Sequence, residues 1–211
     1  MYHRFEENKY PSTNIKIKDF KLHLKIIKES GFKFLSEKDF KNYINTKDNS
    51  KKILLTIDDG FSSFYENAWP VLKKEKIPFI LFVNTENIGS SGYMDWKELK
   101  NILKYDFAHI GNHSHSHGYL VDKTDQEIKN DIKKSIEIFE NKLNYRTEFF
   151  AYPFGEYKNS YKKIVKELGF SYAFGQHSGV MDSTKDKFEL PRFPINEKYG
   201  EIQRFKGLLK T

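Results

Sequence analysis

From residue 53 onward the sequence predicts an α/β fold with a mostly parallel sheet. Short apolar segments of strand length alternate with segments whose apolar residues have helical spacing, and this alternation is typical of such folds. Two helix starts carry capping signals, with Asp95 as an N-cap and Thr124 forming a capping box with Glu127. The 211 residues fit one domain with a sizeable core, so we expect a single domain over residues 1–211.

Before the alternation begins, residues 1–52 predict two helices and one short strand. Residues 17–30 have apolar positions at mostly helical spacing, and Gly31 is a suitable end for this helix. Residues 32–35 form the predicted strand, and Ser36 is the expected N-cap of a second helix to about residue 44. His23 falls within the first helix and is expected at its surface.

The alternating part of the chain contains further strands and helices in regular order. The predicted strands cover residues 53–57, 78–83, 107–110, 148–152, 170–174 and 188–193. The predicted helices cover residues 63–74, 96–104, 124–143, 160–168 and 201–209. Ligands bind at the carboxyl ends of strands in parallel sheets, so polar residues directly after these strands are candidates for a functional site.

Asp58 and Asp59 stand at the end of the first of these strands, before a turn at Gly60. Two adjacent carboxylates repel each other and lose solvent there, so a counter-charge such as a divalent metal is needed to keep both ionised. Neighbouring side chains at a strand end diverge, so one carboxylate can bind the metal while the other faces water or substrate. Taken alone, this pattern is more typical of a solvated turn.

A histidine-rich stretch follows the predicted strand at residues 107–110, in which His109 is expected to have a packing role. His113 and His117 are four residues apart, so on one helical turn their imidazoles would share a face, as in zinc-binding helices. Two imidazoles and one carboxylate leave metal positions open, which is typical of a catalytic site. His115 is expected to point elsewhere. The stretch alone also fits a solvated loop, but together with the paired carboxylates it favours a metal site.

Three short motifs together resemble the polysaccharide deacetylases, the NodB-homology or carbohydrate esterase family 4 group. Residues 56–60 (TIDDG) resemble the first motif, residues 113–117 (HSHSH) the second, and residues 150–155 (FAYPFG) the third, in its poly-N-acetylglucosamine deacetylase form. The resemblance covers residues 53 to about 195. It implies a distorted (β/α) barrel of roughly seven strands and metal-dependent removal of an acyl group from a sugar.

Carried onto this chain, the resemblance implies that Asp58 is the general base and that Asp59, His113 and His117 are the metal ligands. The chain has no cysteine, so the metal must be held by nitrogen and oxygen atoms. Zinc is the first expectation, and cobalt, nickel, iron and manganese are also compatible with such ligands.

The third motif supplies the expected substrate-binding residues. Tyr152 and Phe154 flank a predicted strand end, where aromatic rings can stack on the apolar faces of a sugar. The turn that ends at Gly155 is expected to supply a backbone N–H for the oxyanion that forms at the acyl carbon.

The sequence departs from the common family pattern in three places. The usual Leu-x-His motif near the C-terminus is absent, and the last histidine is His177. Tyr2-His3 resembles the N-terminal segment of the circularly permuted deacetylases, so His3 is the expected general acid and His177 the competing candidate. Ala151 stands where the third motif usually has arginine, and Arg192 is the candidate replacement. The fourth motif is not recognisable.

Composition limits the partners that we expect. The net charge of +7 would favour an anionic partner in principle, but lysines alternate with acidic residues along the helices, as on solvated faces. The sequence contains no basic run interleaved with aromatic residues, which is the pattern that would indicate nucleic-acid binding. No apolar run is long enough to span a membrane, and no signal peptide is visible. We therefore expect a cytoplasmic protein, with the inner membrane surface as an alternative location.

The sequence thus predicts a hydrolase that removes an N-acetyl or other acyl group from an amino sugar of a glycan or glycan precursor. The expected partner is an N-acylated sugar or oligosaccharide, free or linked to a lipid or nucleotide, and the oligomeric state is not predicted. One alternative is a catalytically degenerate carbohydrate-binding protein, which the missing motif residues favour. Another is an iron oxygenase with two histidines and one carboxylate, which the α/β alternation disfavours.

Overall fold

The computed structural model of the protein describes residues 1–46 and 50–210. Its N-terminal part contains β1 (Arg4–Phe5), β2 (Asn14–Ile15), α1 (Ile17–Glu29), β3 (Lys33–Phe34), α2 (Glu37–Tyr43) and β4 (Lys52–Ile53). β1 pairs with β2 and β3 pairs with β4, both in parallel. Ser36 accepts a hydrogen bond from the Asp39 N–H, so the predicted N-cap of α2 is confirmed.

The rest of the chain alternates strands and helices as predicted, except that the predicted strand at residues 188–193 is not formed. The strands are β5 (Thr56–Asp59), β6 (Phe79–Val83), β7 (Ala108–Asn112), β8 (Phe149–Ala151) and β9 (Tyr172–Phe174). The helices are α3 (Trp69–Glu75), α4 (Trp96–Ile102), α5 (Asp125–Leu143), α6 (Asn159–Glu167) and α7 (Ile202–Leu208), with 3-10 turns at Leu120–Asp122 and Pro153–Gly155. The capping boxes at Asp95 and Thr124 are both formed.

Strands β5 to β9 form one parallel sheet in sequence order, curled into a half-barrel. The predicted α/β barrel-like fold is confirmed, although the sheet has five strands where roughly seven were expected. A segment at each edge makes only a single bridge: Tyr2 pairs with Ile57, and Leu190 pairs with Phe174. The second segment includes Pro191, which has no N–H to donate to a longer ladder.

The sheet is buried on both faces, as parallel sheets are. Along β6, Ile80 and Phe82 pack in one apolar cluster with Phe149 and Phe174, while the intervening residues of the strand pack in another with α1, α3 and α4. This alternation follows the two-residue period of a strand. It places phenylalanine rings on one face of the sheet, beneath the position of Arg192.

The predicted helix at residues 63–74 is interrupted. Phe64–Ala68 is a π-helical turn, and α3 begins only at Trp69. The physical reason is Pro70, which lacks an N–H and is accommodated in the first turn of α3 rather than in a helix interior.

The longest described helix is α5, with 19 residues. Its buried side includes Ile128, Ile132 and Phe139, and the remaining positions are largely charged. No helix within residues 1–46 and 50–210 combines the length and apolar composition that a membrane crossing requires.

Candidate metal and catalytic site

Three strand ends bring the predicted site residues to one cavity. Asp58 and Asp59 end β5, His113 directly follows β7, and the Pro153–Gly155 turn follows β8 after one residue. A cavity of about 810 Å³ is lined by Asp58, Asp59, His113 and, from the turn, Phe154 and Gly155. Convergence follows from the parallel topology, because carboxyl ends of adjacent parallel strands lie at the same edge of the sheet.

Asp59, His113 and His117 form a set of ligand atoms that all lie within 4.8 Å of one another. Oδ1 of Asp59 lies 3.1 Å from Nε2 of His117 and 3.5 Å from Nε2 of His113. This oxygen is buried and has no hydrogen-bond partner among the described residues. A buried carboxylate oxygen without a hydrogen bond, facing two imidazole nitrogens, fits a divalent cation with N and O ligands.

The backbone of β8 sets the orientation of the His113 imidazole. Nδ1 of His113 donates to the carbonyl oxygen of Ala151 at 2.6 Å. With Nδ1 carrying the proton, the lone pair of Nε2 is free to bind a metal together with Asp59 and His117, which is the usual arrangement for a metal-binding histidine. Burial lowers the pKa of His113, but Asp59 and Asp58 raise it more strongly.

The prediction of a shared helical turn for His113 and His117 is wrong. The chain is an irregular loop after β7, with positive φ at Ser114 (68°) and at His117 (52°). The Ser114 hydroxyl accepts a hydrogen bond from the His117 N–H at 3.1 Å. The loop therefore turns the second imidazole back toward the first, and a helix is not needed for the two nitrogens to approach one atom of Asp59.

Asp58 is not part of the ligand set and instead pairs with Arg192. Nη1 and Nη2 of Arg192 donate to Oδ1 and Oδ2 of Asp58, each at 2.8 Å. Burial raises the pKa of Asp58, but Arg192, His113 and His3 outweigh burial and hold the pKa below its usual 3.8. The two adjacent carboxylates thus diverge, one toward the imidazoles and one toward the guanidinium.

Arg192 is itself buried and fixed. Its Nε donates to the carbonyl oxygen of Gly175 at 2.8 Å, and the guanidinium lies over the rings of Phe82 and Phe174 at 5.5 and 5.8 Å. The side chain is 4% exposed, so its charge acts on Asp58 without solvent screening.

His3 lines the same cavity, and His177 does not. The chain before His3 is anchored on β5, because the Tyr2 N–H donates to Thr56 O and the Asp58 N–H donates to Tyr2 O, each at 2.9 Å. Burial lowers the pKa of His3, and the two aspartates oppose that shift. His177 is exposed, so the two candidate acids occupy different environments.

The substrate-binding candidates of the third motif differ in exposure. Tyr152 borders the cavity, but its side chain is fully buried and its hydroxyl donates to Phe188 O at 2.9 Å, which disfavours the expected stacking role. Phe154 is 52% exposed, with its ring 4.8 Å from that of His117. The Gly155 N–H already donates to Tyr152 O, which leaves Phe154 N–H as the candidate donor of this turn.

Comparison with known proteins gives the family. Residues 45–173 match the family model described as polysaccharide deacetylase. The chain belongs to the polysaccharide deacetylase family. Membership agrees with the motif resemblance and leaves the iron oxygenase alternative without support.

Individual relatives in the polysaccharide deacetylase family resemble nearly the whole chain. The poly-β-1,6-N-acetyl-D-glucosamine N-deacetylase of Staphylococcus aureus (strain N315) is 26% identical in an alignment 204 residues long, which covers 89% of this chain and 70% of that protein. The structure of IcaB from Ammonifex degensii matches with a TM-score of 0.89 at 23% identity, covering 100% of this chain and 95% of that one. The Streptococcus pyogenes deacetylase PplD in complex with acetate matches with a TM-score of 0.87 at 24% identity and the same coverage.

One wall of the cavity in this polysaccharide deacetylase was not found from the sequence. It is formed by two loops, residues 11–13 and residues 194–199. Asn196 Nδ2 donates to Ser12 O at 2.8 Å, and Asn14 Nδ2 donates to Glu197 Oε1 at 2.7 Å. The loops are about 180 residues apart, as the separation of 184 for the first pair shows, so no local spacing could have indicated them.

Proposed function

We propose that this protein is a metal-dependent hydrolase that removes the N-acetyl group from an amino sugar of a glycan. The observation that carries the proposal is Asp58, a buried carboxylate that pairs with Arg192 beside the Asp59–His113–His117 set but outside it. A site that only binds a metal has no need of a second carboxylate held by its own arginine. The Staphylococcus aureus relative, an N-deacetylase of poly-β-1,6-N-acetyl-D-glucosamine, supports the substrate class.

Asp59, His113 and His117 would hold the metal. Two nitrogens and one oxygen favour zinc, and cobalt, nickel, iron and manganese remain compatible with the same ligands. When bound, a divalent cation polarises an amide carbonyl and lowers the pKa of a water molecule. Three protein ligands leave positions open for both.

Asp58 is the proposed general base. Its carboxylate accepts a proton from the attacking water, and the water oxygen forms a bond to the acyl carbon. The base must be ionised for this step, and the two hydrogen bonds from Arg192 favour the ionised form. Phe154 N–H is the proposed donor to the oxyanion that forms at the carbonyl oxygen.

His3 is the proposed general acid. The amine of the sugar is a poor leaving group unless its nitrogen gains a proton as the C–N bond breaks. His3 is the histidine that lines the cavity without belonging to the ligand set, and it lies close enough to both aspartates to interact with them electrostatically. Proton transfer from His3 to the nitrogen then releases the free amine and acetate.

The rim of the cavity suits a sugar. The exposed ring of Phe154 lies beside His117. The ring of Tyr119, which is 46% exposed, lies 5.7 Å from the ring of Phe154. Aromatic faces of this kind pack against sugar C–H groups, and residues 196–199 add polar side chains to the lining of the cavity. The proposal concerns the N-acetylated sugar, and it does not extend to a lipid or nucleotide linkage.

The test is release of acetate from N-acetylglucosamine oligomers by the Zn²⁺-loaded protein. We expect Asp58→Asn to abolish acetate release while the zinc content stays at the wild-type level, because Asp58 is outside the ligand set. Asp122→Asn, a change at an exposed aspartate outside the cavity, is the matched control. An Asp58→Asn protein with wild-type activity would reject the assigned base. A wild-type protein that binds the oligomers but releases no acetate with any of the five metals would be the degenerate binding protein.

A further inference from the structure

We propose that Asp131 is a positioning residue that fixes the histidine loop, residues 113–118, and thereby sets the affinity of the metal site. The inference rests on the proposed function, because it concerns the same ligands. Asp131 lies on α5, outside the cavity lining, and no motif resemblance pointed to it.

The Asp131 carboxylate accepts two backbone hydrogen bonds from the middle of the loop. The His115 N–H donates to Oδ1 at 2.8 Å, and the Ser116 N–H donates to Oδ2 at 3.1 Å. Each carboxylate oxygen therefore holds one of two consecutive N–H groups. Hydrogen bonds from N–H groups to an ionised carboxylate are stronger than those between neutral groups.

The other N–H groups of the loop are also satisfied, but by partners that do not lie on α5. The His113 N–H donates to Val83 O, and the His117 N–H donates to the hydroxyl of Ser114. The Gly118 N–H donates to the hydroxyl of Ser116. Asp131 is thus the group that ties the middle of the loop to a rigid helix.

A second residue of α5 acts on the start of the loop. Ser135 is one helical turn after Asp131, on the same face, and its hydroxyl accepts a hydrogen bond from the Asn112 side-chain amide. Oδ1 of Asn112 in turn accepts from the Ser114 N–H at 2.9 Å. One face of α5 therefore contacts the loop at two points, directly through Asp131 and indirectly through Ser135.

The loop needs this support because its backbone is held in unfavourable conformations. Ser114 and His117 both have positive φ, which is strained for residues other than glycine and persists only where surrounding contacts enforce it. The His117 side chain is 23% exposed, against 3% for His113, so packing restrains it less. His117 is therefore the ligand whose position depends most on the loop.

The test compares the Zn²⁺ affinity of the wild-type protein, Asp131→Asn and Glu137→Gln by competition with a chelator. An amide at position 131 turns an NH₂ group toward one of the two N–H donors, so a hydrogen bond is replaced by a donor–donor contact. We expect Asp131→Asn to weaken Zn²⁺ binding about 10- to 100-fold, as loss of a group that orients a ligand does. Glu137, exposed on the same helix, undergoes the same carboxylate-to-amide change and should bind Zn²⁺ as the wild type does.

A purely structural role for Asp131 predicts a different result. Asp131→Asn would then lower the melting temperature while Zn²⁺ affinity stayed within twofold of wild type, and that outcome overturns the proposal. If Asp131→Asn does not fold, amide hydrogen exchange in the metal-free wild type decides. Slow exchange of the His115 and Ser116 amides supports the proposal that Asp131 fixes the loop. Exchange as fast as in an exposed loop overturns it.

The outcome is separable from that of the proposed function. A wild-type protein that binds Zn²⁺ and releases no acetate overturns the hydrolase and leaves the effect of Asp131 on affinity measurable. A wild-type protein that binds no Zn²⁺ overturns both.

Discussion

Arg192 and Asp58 form two parallel hydrogen bonds of 2.8 Å, although they are 134 residues apart in the sequence. Both side chains are buried, at 4% and 3% exposure. The third motif of the family resemblance usually carries an arginine where this chain has Ala151, and Arg192 brings a guanidinium to the proposed base from the segment after β9. The charge that Asp58 needs is therefore present, from a different part of the chain.

Replacement of Arg192 by Met should destabilise the protein and reduce catalysis. A buried carboxylate left without its partner costs about 3 to 5 kcal/mol, and Asp58 would then take up a proton and cease to act as a base. Arg192→Lys keeps the charge but not the bidentate geometry, so we expect a smaller loss of kcat/KM. Urea unfolding and acetate release measure the two effects. Equal kcat/KM in wild type and Arg192→Met would contradict this account.

The two candidate acids can be separated by single substitutions. We expect His3→Ala to lower kcat about 100- to 10,000-fold, which is the usual contribution of a general acid, with Zn²⁺ content unchanged. His177→Ala should keep wild-type kcat, because His177 is exposed and does not line the cavity. The reverse pattern in steady-state kinetics would transfer the proposed role to His177.

Much of the fold could be predicted because its signals are local. The alternation from residue 53, the capping boxes at Asp95 and Thr124, and the site residues after strands all depend on neighbours in sequence. Periodicity failed where a residue is buried by distant contacts. His23, expected at the surface of α1, is fully buried and bonds the Tyr2 hydroxyl and the carbonyl oxygen of Gly200.

The site was predictable to the same extent. Spacing and strand ends were enough to propose Asp58, Asp59, His113 and His117. The backbone conformation that brings the two imidazoles together could not be predicted. The i, i+4 spacing suggested a helix, but the positive φ values of the loop depend on hydrogen bonds to α5 and to Ser114. Such contacts leave no periodic trace in the sequence.

A side chain at Gly155 is expected to be unfavourable because of both its backbone conformation and a steric clash, whereas at Gly92 only the backbone conformation is unfavourable. Both have positive φ, 73° and 83°. A Cβ at Gly155 would lie 2.6 Å from the Gln176 backbone N, whereas a Cβ at Gly92 would meet nothing within 4 Å. Gly155→Ala should therefore lose about 1 to 3 kcal/mol more free energy of unfolding than Gly92→Ala, and it should displace the Phe154 turn and lower kcat. Equal losses in urea unfolding would show that the clash is relieved.

His109 gives the protein an acid-sensitive stability that is separate from the site. Its ring bonds the hydroxyls of Tyr145 and Thr147 and packs edge-on against Phe149. Burial is the main cause that lowers the pKa of His109 from 6.5 to about 4. The nearby charge of Lys41 lowers this pKa further, and the charges of Glu37 and Glu148 raise it in part. Between these two pKa values the unfolded chain binds a proton that the folded protein excludes.

Stability from His109 is therefore complete above pH 6.5 and is lost as the pH falls toward 4. The full shift corresponds to a loss on the order of 3 kcal/mol. Metal-free wild type and His109→Gln should be compared by urea unfolding at pH 7.5 and about pH 4.5, so that titration of the other histidines cancels in the difference. We expect the free energy of unfolding of the wild type to fall more steeply than that of the variant. Parallel pH profiles would show that His109 is protonated in the folded protein as readily as in the unfolded chain.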